Sequence, residues 1–494
     1  MNSHIVYKNI FFSIALQIFT MISGFIVPRV ILVFFGSNIN GLISSINQFL
    51  TYGSLLEGGV GTVIAASLYK PLREGNQEKV SAIFNATKRF FYQMGVIYSL
   101  YSLIVVFVFT FLVKTGNSKW FVAMLVIVLS FQSIIQYLLS MSYRILLEAD
   151  RKVYYVSLTQ ILIVVANVVL VIIITNTTKN IILVKLGSSL VYLIQPLMYV
   201  RYVEKTYKIN RTILPDKGAL SQRWDGFAQQ IAYFASANTD ILLVTFFSSS
   251  LKMVSVYSIY SMITTAISNL VVAISSSIVP SMGRVLSEND TKKIKNKFER
   301  YEFLIVIISS ILYSSVIIVL TPFVMLYTKG IHDANYSQLS FGIILALGKL
   351  LYCFSEPYVR TILAAGHIKQ VSRFAYIESG INIIISLILV LKLGIMGVAL
   401  GTLLSFIYRF VAYREYLGKK IIDKIDRIFS KKVILLGIIN IIFSVVIAVY
   451  IHLEFDSYIS FILQGVGVFI VVLLFDILLG NIVFRKRFRQ LFKK

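Results

Sequence analysis

Long apolar runs, separated by short polar or basic stretches, cover almost the whole of this 494-residue chain. A helix needs about 20 apolar residues to cross the hydrocarbon core of a bilayer. We find fourteen runs of sufficient length and name them spans 1–14. They run at 9–35, 39–69, 90–113, 120–143, 153–175, 180–200, 224–247, 253–283, 301–326, 337–359, 370–391, 394–413, 432–451 and 457–480. The pattern predicts an all-α polytopic membrane protein with 14 transmembrane helices.

Composition and charge support a membrane location. Hydrophobic residues make up 57% of the chain and charged residues only 14%, and the mean hydropathy is +0.81. A soluble domain usually has about 25% charged residues. The net charge of +25 would suggest nucleic acid in a soluble protein. In a membrane protein it indicates basic cytoplasmic loops, so we expect no nucleic-acid partner.

The distribution of lysine and arginine predicts the orientation. When loops are assigned alternately to the two sides, most of the 47 basic residues lie on the side of the two termini. Because basic loops stay in the cytoplasm, we predict a multi-pass membrane protein with both termini inside. The abundance of Ile and Lys is typical of AT-rich bacterial genomes, so we expect the bacterial cytoplasmic membrane.

Residue types typical of catalysis are sparse. The single cysteine, Cys353, and the four histidines form no metal-ligand spacing. A membrane polysaccharide polymerase or glycosyltransferase usually carries a large outer loop or paired loop aspartates, and the chain has neither. We therefore predict no metal, no cofactor, no catalytic residue and no enzymatic activity.

A basic elbow occurs twice in the chain. Residues 142–152 read SYRILLEADRK at the end of span 4, and 358–369 read YVRTILAAGHIK at the end of span 10. Arg144 and Arg360 are 216 positions apart, and Gln17 and Gln230 are 213 apart. Blocks of six spans that repeat in register predict parallel repeats around a cavity. We expect an N-terminal lobe at 1–210, a C-terminal lobe at 211–430, and two extra helices with a basic tail at 431–494, in a monomer.

Three stretches carry a resemblance to a known family. They are 28-PRVILVFFGSNINGLISSINQFLTYGSLLEGGVGTVI-64, the paired elbows 144-RILLEADRK-152 and 360-RTILAAGHIK-369, and 392-KLGIMGVALGTLLS-405. With them the chain resembles Wzx-type polysaccharide flippases of the multidrug/oligosaccharidyl-lipid/polysaccharide (MOP) exporter superfamily, over nearly its whole length and with the same number of spans. It departs from the family pattern at 36-GSNING-41, which leaves the substrate open.

The resemblance implies a fold and a function. It implies a MATE/MOP-like arrangement of two six-helix lobes, and alternating-access transfer of an undecaprenyl-diphosphate-linked oligosaccharide, or of a teichoic or capsular precursor, to the outer leaflet. It also implies that spans 13 and 14 cradle lipid tails. The partners would be the lipid-linked sugar diphosphate, membrane lipids and a coupling H⁺ or Na⁺. A multidrug cation antiporter and a membrane polymerase remain the alternatives.

Ionisable residues within spans are the candidates for substrate binding, because a charge at the centre of a spanning helix costs about 2.5–3.5 kcal/mol. Arg29 and Lys349 would pair with a diphosphate, although Arg29 could instead extend to the interface. The full substrate-binding set is Arg29, Lys349, Gln17, Gln230, Asn47 and Arg373, with Gln48 and Asn382 as further hydrogen-bonding groups. For each amide side chain, a hydrogen bond to a neighbouring helix is the equal alternative. Four more intramembrane charges lie nearer the span edges: Lys185, Glu356, Arg409 and Asp476.

Carboxylates within spans are the candidates for ion coupling and gating. The predicted ion-coupling set is Glu57, Asp240, Asn238 and Glu378. The predicted gate consists of Glu356 and Arg360, spaced i, i+4 on one helix face, together with Arg144. A stretch such as 236-SANTD-240 offers several oxygen ligands, which suits sodium. A purely structural ion pair is the alternative for each carboxylate.

Overall fold

The computed structural model describes residues 3–57, 60–216, 218, 239–248, 250–288, 290–422, 427–451 and 453–484, and within these ranges every regular element is helical. The chain divides into two compact units, which we describe separately. Unit 1 is Met1–Phe234 with Ser250–Lys252, and unit 2 is Ala235–Ser249 with Met253–Lys494. The boundary expected at 210/211, and the internal repeat, stay predictions.

Unit 1 is built from eight described α-helices, several of them continued by tighter or wider turns. They are α1 (Ser3–Tyr52), α2 (Val60–Glu74), α3 (Gln77–Phe107), α4 (Lys119–Ile135), α5 (Met141–Ala149), α6 (Val153–Thr178), α7 (Ile181–Val191) and α8 (Ile194–Thr206). A 3₁₀ turn follows α1, and π turns follow α3 and α4. Helix α1 packs along α6, α3 packs on α4, and α7 packs on both α4 and α6.

Local sequence explains where several of these helices begin. The side chains of Asn76, Ser118 and Asn180 accept hydrogen bonds from backbone N–H groups at the starts of α3, α4 and α7. These caps satisfy donors that the first helical turn leaves without partners. Helix α1 contains a break at Gly36, whose φ of 78° is readily adopted only by glycine.

A side-chain clamp joins α1 to the elbow at residues 150–152. The Asn9 Nδ2 atom donates to the Arg151 carbonyl at 2.9 Å, and the Tyr154 N–H donates to Asn9 Oδ1 at 2.8 Å. Arg151 itself has a φ of 61°, which is uncommon for a residue other than glycine. The Asn9 amide therefore holds a strained turn in place by donating one hydrogen bond and accepting another.

Unit 2 begins with helical residues 239–247 and continues with seven long helices. They are α9 (Leu251–Ser287), α10 (Thr291–Tyr327), α11 (Leu339–Ala364), α12 (Ile368–Leu393), α13 (Ile395–Lys420), α14 (Arg427–Tyr450) and α15 (Tyr458–Phe484). Helix α13 packs against both α11 and α12, and α10 packs against α11, α14 and α15. Paired hydroxyls, such as Ser268 with Tyr313 at 2.6 Å, join α9 to α10.

Two glycines bring α12 and α13 into backbone contact. A Cβ atom at Gly401 would lie 2.0 Å from Ser386 Oγ, and one at Gly397 would lie 2.3 Å from the Leu389 carbonyl. Small residues allow this close approach between membrane helices. The tight turn between the two helices is at Gly394, with a φ of 57°. The glycine-rich stretch 392–405 thus fixes how side chains of α12 and α13 meet.

Twelve of the described helical segments are long and apolar enough to cross a membrane. Predicted spans 1 and 2 appear as one segment, Ile5–Leu55, because the helix resumes directly after Gly36. Most of predicted span 7 lies outside the described residues. The remaining spans correspond one to one, including the two C-terminal helices α14 and α15. The all-α polytopic class is confirmed.

Candidate functional site

A group of oxygen-bearing side chains surrounds Asp240 in unit 2. Asp240 Oδ2 accepts hydrogen bonds from the Tyr257 hydroxyl at 2.7 Å and the Thr402 hydroxyl at 2.9 Å. Asp240 Oδ1 lies 3.4 Å from Asn382 Nδ2, which is also 3.0 Å from Thr402 Oγ1. The group, which we call the Asp240 cluster, joins residues 239–247 to α9, α12 and α13.

The Asp240 cluster offers the oxygens that a hard monovalent cation prefers. Asn382 is almost fully buried, and its Oδ1 atom has no hydrogen-bond partner among the described residues. A buried acceptor without a donor is costly, and a bound cation would satisfy it. One carboxylate among neutral oxygens suits a singly charged ion better than a divalent one.

In the part of the chain that the structure describes, no group of three or more His, Cys, Asp and Glu side chains is placed to hold a metal ion. The Asp240 cluster therefore differs from a metal site built of several carboxylates, because it contains one carboxylate group and several neutral oxygen atoms.

Lys349 of α11 lies near the Asp240 cluster. Among the described residues, the Lys349 ammonium and the Asp240 carboxylate attract each other electrostatically. The two groups do not form a direct ion pair. The side chain is half-buried within unit 2. A cation bound at Asp240 would oppose this attraction, because two positive charges would then compete for one carboxylate.

A second charged group of unit 2 is a buried ionic network centred on Arg409 of α13. Arg409 Nη1 is 3.1 Å from Glu378 Oε2, and Arg409 Nη2 is 3.5 Å from Glu356 Oε1. Arg409 Nε donates to the Ser355 hydroxyl at 2.6 Å. The guanidinium also lies 4.6 Å from the centre of the Tyr352 ring, within range of a cation–π interaction.

Arg360 completes the network at its more exposed end. Arg360 Nε is 2.9 Å from Glu356 Oε2, so the expected i, i+4 pair is present in α11. Two arginines and two glutamates give the network a net charge of zero. Both carboxylate oxygens of Glu378 accept hydrogen bonds from Arg409, and the ion-coupling role of Glu378 stays a prediction. The gating role of Glu356 and Arg360 stays a prediction.

Unit 1 holds the predicted gate residue Arg144 and the predicted ion-coupling residue Glu57. Arg144 Nε is 2.8 Å from Glu148 Oε1, one helical turn further along the chain. Glu57, at the end of the 3₁₀ turn after α1, also interacts electrostatically with Arg144. The structure therefore brings Glu57 and Arg144 into one electrostatic group, although the sequence separates them by two spans.

Of the remaining predicted site residues, three lie on α1 and one lies on α12. Arg29 is half-buried in α1, while Gln17 and Asn47 are exposed on the same helix. Arg373 is exposed near the start of α12. Gln230 and Asn238 lie outside the described residues. The substrate-binding role of all these side chains stays a prediction.

The sequence analysis assigned no role to several residues of the two groups in unit 2. Arg409 was placed near a span edge and given no role, yet it is only 4% exposed and holds both glutamates. Tyr257 and Thr402 of the Asp240 cluster, and Ser355 and Tyr352 beside Arg409, received no role, because a neutral hydroxyl in an apolar helix does not carry the burial cost that marks a charged residue. The available signal was the glycine-rich stretch before Thr402, which predicts close helix contact at this position.

Comparisons with known proteins identify the fold. No family model matches the chain, and no curated protein matches it. The solved structure described as "Lipid II flippase MurJ, inward closed conformation" is 17% identical, with a TM-score of 0.68 and coverage of 97% of this chain and 100% of that chain.

Two MATE transporter structures are also similar. An inward-facing multidrug resistance MATE family transporter of the MOP superfamily is 13% identical, with a TM-score of 0.65 and coverage of 82% of this chain and 94% of that chain. A mutant of the Vibrio cholerae MATE transporter VcmN is 13% identical, with a TM-score of 0.54 and coverage of 85% and 97%. The chain therefore has the MOP/MATE-like fold, as the resemblance implied. Membership of the Wzx type stays a prediction.

Proposed function

We propose that this protein is a flippase that moves a lipid-linked sugar diphosphate across the bacterial cytoplasmic membrane by alternating access, coupled to a monovalent cation. It would act as a monomer, with both termini in the cytoplasm. The observation that carries the proposal is the Asp240 cluster beside Lys349, in a chain that is similar to a lipid II flippase over its full length.

The proposed coupling follows from electrostatics. Without a cation at Asp240, the carboxylate attracts the Lys349 ammonium. A bound cation neutralises Asp240 and leaves Lys349 available for another anion, and a diphosphate is the anion that the proposed substrate carries. The cation would therefore increase the affinity for the substrate. By thermodynamic linkage, the substrate would increase the affinity for the cation by the same factor.

A multidrug exporter is the alternative, and the similarity to MATE transporters favours it. Two features argue for the lipid-linked substrate. The flippase likeness covers 97% of the chain and the MATE likenesses 82% and 85%, so the flippase accounts for more of this chain. The charge at Lys349 is positive, which suits an anionic head group better than a cationic drug.

Transport by purified protein in liposomes tests the proposal. The substrate is a fluorescent undecaprenyl-diphosphate disaccharide, and quenching by an added membrane-impermeant reductant reports the fraction in the outer leaflet. We expect transport that rises with a Na⁺ or H⁺ gradient. Lys349→Met should abolish transport and leave cation binding intact, whereas Asp240→Asn should abolish its dependence on the gradient.

Matched controls are Lys392→Met at the end of α12 and Asp456→Asn in the loop before α15, both exposed positions. Wild-type transport by Lys349→Met would contradict the assigned substrate contact. Efflux of ethidium without any transfer of the lipid would establish the drug exporter instead.

A further inference from the structure

The two C-terminal helices contain a buried acid–amide pair that the proposed function does not use. Asp476 of α15 is only 3% exposed, and Asn440 of α14 is fully buried. Asn440 Nδ2 donates a hydrogen bond to Asp476 Oδ1 at 3.1 Å. The pair lies on the inward faces of both helices, with Val472 one turn before Asp476 and Ser444 one turn after Asn440.

The amide of Asn440 is only half satisfied. Its Oδ1 atom is buried and meets no donor among the described residues. A carboxylate is purely an acceptor, whereas a protonated carboxyl group has one O–H donor. If Asp476 were ionised, a buried charge with one hydrogen bond would face a buried acceptor with none, and both arrangements are costly. If Asp476 is protonated, its O–H supplies a donor of the kind that the Asn440 amide oxygen lacks.

Within the described ranges, no basic residue compensates a charge on Asp476. Its only polar contact there is with Asn440, and no charged group interacts with it electrostatically. Lys431 and Lys432 are exposed near the start of α14. The charged residues of α10, which packs against both helices, all lie between Lys292 and Glu302. The other titratable groups of α10 are tyrosines.

We propose that Asp476 is a proton-binding site, in which the protonated carboxyl group and the Asn440 amide form two reciprocal hydrogen bonds between α14 and α15. Binding converts a carboxylate and one proton into a carboxylic acid. The acid O–H donates to Asn440 Oδ1, and the acid carbonyl accepts from Asn440 Nδ2. Loss of the proton removes one of these bonds and leaves a charge between two membrane helices.

Infrared spectroscopy of the purified protein in lipid nanodiscs tests the protonation state directly. We expect a carboxylic C=O stretching band at neutral pH that is absent from Asp476→Asn. The band should shift in Asn440→Leu, because the carbonyl then loses its donor. Asp456→Asn, the same change in an exposed loop, should leave the band unaltered. If wild type and Asp476→Asn have identical spectra in the carboxylic region, Asp476 is ionised and the proposal fails.

Thermal unfolding provides a second measurement. A carboxyl group that is protonated in the fold and ionised when unfolded makes the fold less stable as pH rises above about 4, the usual pKa of an exposed aspartate. The Tm of the wild type should therefore fall relative to that of Asp476→Asn between pH 5 and pH 8. Asp476→Leu should lower the Tm at both pH values, because the Asn440 amide then loses its hydrogen bond to the carboxyl group.

A constant Tm difference between wild type and Asp476→Asn across this pH range would overturn the proposal. A wild-type Tm that rises with added Na⁺, with the effect lost in Asp476→Asn but kept in Asp240→Asn, would show that Asp476 binds a metal cation and not a proton. Both measurements use no transport substrate, so their failure is separable from failure of the proposed flippase activity.

Discussion

Removing Arg409 should destabilise unit 2 more than any other single change in the ionic network. Arg409→Met keeps a long apolar side chain of similar reach and deletes only the charged head. It leaves Glu378 without its ion-pair partner and Glu356 with Arg360 alone. Deleting one partner of a buried ion pair costs about 3–5 kcal/mol, and we expect a loss of this size.

Removing the charge of Glu378 should destabilise unit 2 less than removing the charge of Arg409. Glu378→Gln leaves Arg409 in contact with Glu356, so its cost should be smaller. The double variant Arg409→Met/Glu378→Gln removes one positive and one negative charge and leaves the neutral pair of Glu356 and Arg360. We expect the double variant to be more stable than Arg409→Met, because Glu378 no longer carries a buried, uncompensated charge.

The assay is reversible unfolding of the purified protein in mixed micelles, followed by tyrosine and tryptophan fluorescence as denaturing detergent is increased. The control is Lys419→Met, which breaks an exposed i, i+4 pair with Glu415 at 2.9 Å. Exposed pairs contribute little. The reasoning is refuted if Arg409→Met is no less stable than Lys419→Met, or if the double variant loses as much as the two single variants together.

Two further predictions concern packing and the elbow. Gly401→Ala should destabilise the protein by about 1–3 kcal/mol, the usual cost of overpacking. The control, Gly467→Ala in α15, should be neutral in the same unfolding assay, because no described atom lies within 4 Å of the new Cβ. Equal effects of the two changes would contradict the close contact of α12 and α13. Asn9→Ala should speed proteolysis at the elbow after Arg151, because the turn loses both clamping hydrogen bonds; an unchanged cleavage rate would show that the turn holds its conformation without Asn9.

Several features of the candidate site were predictable from local sequence. The i, i+4 spacing placed Glu356 and Arg360 on one helix face, and they form a pair. The apolar run around Asp240 marked this carboxylate as unusual. Both inferences use only the pitch of a helix and the cost of a charge in a bilayer, which do not depend on the rest of the chain.

The partners of the same residues were not predictable. Asp240 meets Asn382 and Thr402, which are 142 and 162 positions away. Arg409 meets Glu378 across 31 positions, although Arg373 lies closer to Glu378 in sequence. Nothing in the periodicity of one helix says which neighbour it faces or how far it is rotated.

The sequence by itself determined roughly how many helices cross the membrane and that a few buried charges would need compensation. It placed some helix ends poorly, because charged turns continue a helix beyond its apolar run: α3 begins at Gln77 and α10 at Thr291, well before the predicted spans 90–113 and 301–326. Hydrophobic length and charge are properties of single segments, so a linear reading captures them. The tertiary structure alone decided which polar groups compensate one another. That choice depends on close contacts such as the one at Gly401, where the absence of a side chain brings two helices together and sets their rotation.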